Sequence, residues 1–171
     1  MSWFRRGVSI ALGSATIFIT TAAFPGRASA QDLKLVGLSG RVLDVTPSQI
    51  AQLPHVQLTV SVEGQTTTYR GVPLNDLLSL VGAPSGKALK GAELRDVVLV
   101  TAKDGYAVAL ALADTDSLVR KDQVLLADAA NGAPLPQAQG PYRLVVEGDQ
   151  RGARLARMVT TIELRQLSPT P

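Results

Sequence analysis

The chain has 171 residues, 46% of them hydrophobic and 18% charged, with no cysteine and one histidine. The missing thiol excludes thiolate catalysis, iron–sulfur clusters and cysteine zinc sites, and a single imidazole excludes a histidine-rich metal site. The formal charge of +3 falls to zero once Arg5, Arg6 and Arg27 are set aside with the first 30 residues, and aromatic residues make up 4%, so no nucleic-acid partner is expected.

Residues 1–30 read as a signal peptide. Arg5 and Arg6 precede a largely apolar stretch from Val8 to Phe24, and Ala28-Ser29-Ala30 offers a small-x-small cleavage site before Gln31. Gly13-Ser14 and Thr20-Thr21 interrupt that stretch as a membrane helix, and cleavage leaves no membrane span. The expected location is therefore the periplasm. Twin-arginine export is a weak alternative, because Gly7, Val8 and Ser9 follow the arginines without the apolar pair that motif prefers. Residues 31–171 are expected to form one domain with a sizeable core.

Leu35 to Val45 reads as a strand punctuated by Gly37 and Gly40. Thr46-Pro47 opens a helical turn through Leu53. Val56 to Val62 alternates apolar and polar residues as a half-buried strand, with Glu63-Gly64-Gln65 as its turn and Thr66 to Arg70 returning. Asn75 to Val81 carries leucines at helical spacing and stops at Gly82, and Pro84 to Gly91 reads as a loop. Asp96–Thr101 and Tyr106–Leu112 flank a Lys103-Asp104-Gly105 hairpin turn. The continuous apolar run Val97–Val100 predicts a strand covered on both faces. Asp114 to Val119 is a short helix or turn, Val124–Ala127 a buried strand, and Asn131-Gly132 a turn. Pro141 to Val146 is a short strand, Glu147 to Gly152 a polar loop, Arg154 to Leu164 a longer extended run, and Ser168 to Pro171 a polar tail. The sum is eight or so strands with one or two small helices, an α+β, β-rich fold.

Few residues here suggest chemistry. His55 stands alone beside Pro54 and is expected to be structural. Asp114 is expected to cap a helix rather than join Asp116 around a metal. Tyr106 is expected to pack as a strand aromatic. Arg143, on an otherwise apolar strand, needs a carboxylate, a carbonyl, solvent or a bound anion; Asp104 and Glu147 are the acids in prospect. Arg151, Arg154 and Arg157 follow at intervals of three, behind a loop whose glycines, Gly148 and Gly152, are suited to an anion nest. Asp104, Tyr106, Arg143, Arg151, Arg154 and Arg157 are together the candidate binding residues; no catalytic or metal-ligating residue is assigned.

Three stretches carry a family resemblance: YRGVPLNDLL (69–78), LVTAKDGYAVAL (99–110) and LADAANGAPLPQAQGPYRLVVEGDQRGARLARMVTTIEL (126–164). In this order they resemble the sulfite-oxidase-type, molybdopterin-binding oxidoreductase domain in its small exported bacterial form. The resemblance implies a β-rich α+β domain with short helices, able in active members to cradle the pterin's phosphate and rings. It also implies a metal-ligating cysteine at the end of the strand ending at Val62, where this chain has Glu63 and Gly64. Arg154 and Arg157 stand where basic cofactor contacts fall, and Met158 replaces an aromatic. Thiolate both holds and electronically tunes such a metal, and a carboxylate is a poor substitute.

The expectation is a retained fold without the family's oxidation chemistry. The chain is read as a periplasmic binding or accessory domain for a small anion or a protein partner, with no cofactor expected. One alternative is a molybdopterin enzyme with a non-cysteine ligand or an open metal position, which requires Glu63 or another oxygen ligand to share one cavity with Arg143 and Arg154. The other is a purely structural interaction module, which requires no concave site at all.

Overall fold

The computed structural model describes residues 31–168, so the expected leader with its cleavage site and residues 169–171 of the polar tail lie outside the described residues. Ten strands and two short α-helices make up the described part, in two five-stranded sheets.

The first sheet has the order β2-β1-β10-β5-β6. Its strands β1 (Leu33–Val36) and β2 (Val42–Val45) form a hairpin where the sequence predicts one punctuated run. The bend lies between Gly37, whose N–H donates to the Arg41 carbonyl (2.8 Å), and Gly40, at φ 76°. The last strand, β10 (Val159–Gln166), runs parallel to β1 and antiparallel to β5 (Asp96–Ala102). β5 turns through Asp104-Gly105 into β6 (Ala107–Ala111), as the Asp-Gly pair predicts.

The second sheet contains β3 (Val56–Val62), β4 (Gln65–Pro73), β7 (Val124–Ala130) and β8 (Ala133–Pro134), with β9 (Arg143–Val146) also paired to β7. Helices α1 (Pro47–Gln52) and α2 (Leu74–Ser79) are short. Thr46 caps α1 through a reciprocal box with Gln49, and α2 buries Leu74, Leu77 and Leu78.

The main core lies between the sheets. Leu33, Leu35, Val98, Val100, Ile162 and Leu164 from the first sheet meet Val72, Val124, Leu126, Leu144 and Val146 from the second. A smaller cluster of Leu58, Val60, Tyr69, Leu125, Val145 and Leu155 covers the second sheet's other face. That double cover explains why Val124–Ala127 and Arg143–Val146 are buried at every position.

Three expectations need correction. Val97–Val100 is covered on one face only, since burial alternates along β5; an apolar run by itself does not distinguish one covered face from two. The extended run expected from Arg154 begins only at Val159, because Gly152–Arg154 is a 3₁₀ turn and Met158 bends the chain at φ 51°. Asp114, expected to cap a helix, lies inside the 3₁₀ turn Leu112–Thr115, which has no side-chain cap; Asp116, 4% exposed, instead accepts from the N–H groups of Gly86 (2.6 Å) and Leu118 (2.8 Å). No helix among the described residues is long and apolar enough to cross a membrane.

Candidate binding site

Two hairpin tips define the mouth of the site. Glu63-Gly64 (φ 52° and 80°) joins β3 to β4, and Asn131-Gly132 (φ 50° and 79°) joins β7 to β8. Positive φ at both central residues matches a type I′ turn, whose twist suits a two-residue hairpin. Asn131 ties its tip to β4: its N–H donates to the Thr68 carbonyl (2.7 Å) and its Oδ1 accepts from the Thr68 N–H (3.1 Å). Both tips line a cavity of about 600 Å³ that continues over Thr67, Tyr69, Gln139 and Arg143.

Arg143 reaches this cavity because β9 alternates. Tyr142, Leu144 and Val146 enter the main core, whereas Val145 joins the smaller cluster on the other side. Arg143 is only 9% exposed. Its Nη1 donates to Gln139 Oε1 (2.6 Å), its guanidinium carbon lies 5.5 Å from the centre of the Tyr69 ring, and its buried Nε has no partner. Among the described residues no carboxylate pairs with it. The two acids in prospect are engaged elsewhere: Asp104 Oδ1 accepts from the Tyr106 N–H (3.0 Å), and Glu147 Oε2 from the Gln123 N–H (2.7 Å). Burial holds the Arg143 guanidinium below its ordinary pKa; Tyr69 opposes this shift and Arg157 adds to it. A guanidinium stays charged nonetheless, so a desolvated cation faces the cavity.

The other candidate residues separate into three groups. Arg157 is exposed and lines the same cavity. It also lines an adjoining recess of about 290 Å³ with Asp104, Tyr106 and Met158. Tyr106 is fixed there, its hydroxyl donating to the Ala153 carbonyl (2.5 Å). Arg154 turns instead to Asp149, with Nε to Oδ2 at 2.9 Å and Nη2 closing the second bond, an arrangement that raises its pKa. Arg151 is exposed and lines neither hollow. Nor is Gly148 an open anion nest: a Cβ there would lie 3.0 Å from Asp122 Oδ2, and Arg120 Nη2 donates to the Glu147 carbonyl (2.8 Å).

Glu63 lines the cavity with Arg143, while Arg154 does not, so the three-residue convergence required by a non-cysteine metal site is incomplete. No cluster of three potential metal-ligating side chains occurs among the described residues. His55 is structural. Its Nδ1 lies 2.7 Å from the Leu53 carbonyl and its Nε2 3.0 Å from Asp128 Oδ2, on a residue that also meets Arg70 (3.4 Å). Asp128 is the extra residue where the β4–β7 register shifts, and a bulge of this kind re-aims a side chain.

Sequence reasoning missed Tyr69, Gln139 and Asn131 as walls of the site. Tyr69 carried a signal in its place on the strand opposite Val56–Val62, and Asn131 was legible as a turn. Gln139 lies in an irregular segment, where its spacing of four from Arg143 has no helix to give it meaning.

A family model described as oxidoreductase molybdopterin binding domain matches residues 23–170. Among solved structures, the fold is similar to the crystal structure of the sulfane dehydrogenase SoxCD from Paracoccus pantotrophus, with a TM-score of 0.61 and 21% identity. The alignment covers 78% of this chain and 38% of that one, and the likeness is one of fold. No curated protein matches the sequence.

Proposed function

This chain belongs to the oxidoreductase molybdopterin binding domain family, and from that membership we propose that it is a binding domain that keeps the family's scaffold and uses its cavity for a small anion, without oxo-transfer chemistry. The residues present do not fit a molybdenum centre. The chain has no cysteine, and the cavity offers the carboxylate of Glu63 at the turn where the sequence resemblance expects a thiolate. Oxygen from one exposed acid is a hard, weakly donating ligand for a metal that thiolate would both grip and tune.

The arginine side of the site does fit an anion. The observation that carries this reading is Arg143: a buried guanidinium with an unpartnered Nε and no carboxylate, on the wall of a cavity that holds a second arginine. Buried charges are normally paired, and guanidinium offers oxyanions a two-pronged set of donors. The concave site itself argues against a purely structural module. With residues 1–30 read as a leader, the proposed place of action is the periplasm.

Purified full chain should be stabilised by sulfate, phosphate or acetate, by about 2.7 kcal/mol at a hundredfold excess over Kd, read as a rise in Tm at constant ionic strength. Metal and pterin analysis of the natively isolated protein is the counter-test: stoichiometric amounts of both would overturn the proposal.

A further inference from the structure

The cavity holds charge of both signs. Glu63, Arg143 and Arg157 all line it, yet none forms a salt bridge with another or with any described residue. Opposite charges around one hollow usually neutralise one another where the backbone lets them. Here they do not meet: Glu63 is exposed on a tight hairpin tip at φ 52°, and Arg143 is held by Gln139 and the Tyr69 ring. A plain anion satisfies the arginines but leaves Glu63 without a partner, and a plain cation meets repulsion from the arginines. Between the two ends lie Gln65, Thr67 and Asn131, neutral hydrogen-bonding groups suited to an amide or hydroxyl. Val62 and Leu155 add apolar wall, and about 600 Å³ exceeds what a single inorganic ion fills.

We infer that the cavity takes a small amino-carboxylate zwitterion, a free amino acid or a dipeptide, with its carboxylate on Arg143 and Arg157 and its ammonium on Glu63. This inference rests on the anion-binding reading and adds the second pole. Glu63, standing where the family resemblance expects a metal ligand, becomes the residue that distinguishes amines from simple acids.

The test is calorimetric titration of the full chain with the free amino acids and Ala-Ala. The tightest binder is then repeated as its desamino analogue, which has the same skeleton without the amine. Removing the ammonium should weaken binding about tenfold, the scale of one charge-assisted hydrogen bond. Glu63→Gln should bring the two ligands to within about twofold of each other, by weakening the amine and sparing its analogue. Arg157→Gln, at an exposed position that leaves folding intact, should weaken both alike. An analogue that binds as tightly as the amine, or a preference that survives Glu63→Gln, overturns the zwitterion while leaving the anion site standing. If neither ligand binds and acetate and sulfate also fail, both readings fall.

Discussion

A guanidinium stripped of water and given only a glutamine oxygen and an aromatic face is an expensive way to build a strand. Arg143 has good hydrogen-bond geometry to Gln139, but no countercharge offsets its desolvation. A methionine of similar length would pack beside Val145 and Tyr69 without that penalty. Replacing buried charge with apolar volume is often neutral or stabilising, and the lost cation–π contact takes back part of the gain. Arg143→Met is therefore expected to raise unfolding free energy by about 1 kcal/mol in urea titrations while abolishing the stabilisation by anions. A fall in stability would mean that the arginine holds the fold together, and the binding proposal would lose its main support. Glu63 shows the same tension more mildly, since a type I′ turn favours Asn or Gly at its position.

At the scale of elements, the second sheet depends on a close backbone approach. A Cβ at Gly71 would lie 2.3 Å from the Leu126 carbonyl oxygen and 2.5 Å from the Ala127 Cα, at the point where the β4–β7 register shifts. Neither neighbour is a flexible side chain, so the strands themselves must separate. Gly71→Ala should cost about 3 kcal/mol, measured as a lower urea midpoint, and should release Asp128 from His55. The same junction shows what the sequence did and did not make legible. Alternation along β3, the Asp-Gly hairpin, the Thr46 cap and the β9 side-chain directions could all be read locally, because each depends on a few successive residues. The bulge at Asp128 could not, since it exists only in the pairing of two strands. Nor could the partners of Arg143 and Arg154: proximity in sequence suggested Glu147 for the first, whereas the fold supplied Gln139 and left Asp149 to the second. The resemblance placed the scaffold correctly because an ordered set of motifs constrains topology; it could not say what the cavity holds once the sulfur is gone.

For the molecule as a whole, Tyr142 links stability to alkaline pH. Burial, with the Asp128 and Asp32 carboxylates adding to it, pushes its phenol from 10.0 up to about 12. Above pH 10 the unfolded chain sheds a proton that the folded chain retains. The stability this group contributes is therefore fully present below pH 10 and is lost as pH rises towards 12. Tyr142→Phe should flatten that decline by up to about 1.4 kcal/mol per pH unit, in a comparison of urea unfolding at pH 9 and pH 11. An unchanged slope would place the alkaline sensitivity on other groups.

The parallel pairing of β1 with β10 reaches from Lys34 to Thr161, nearly the full length of the described chain. A polypeptide emerging from a ribosome cannot complete the first sheet until its final strand has been made, because β10 supplies the place between β1 and β5. Until then the β1–β2 hairpin and the β5–β6 hairpin have no strand to join them into one sheet. The sheet is sewn shut by its last stitch, so loss of β10 would leave both β1 and β5 with an open edge.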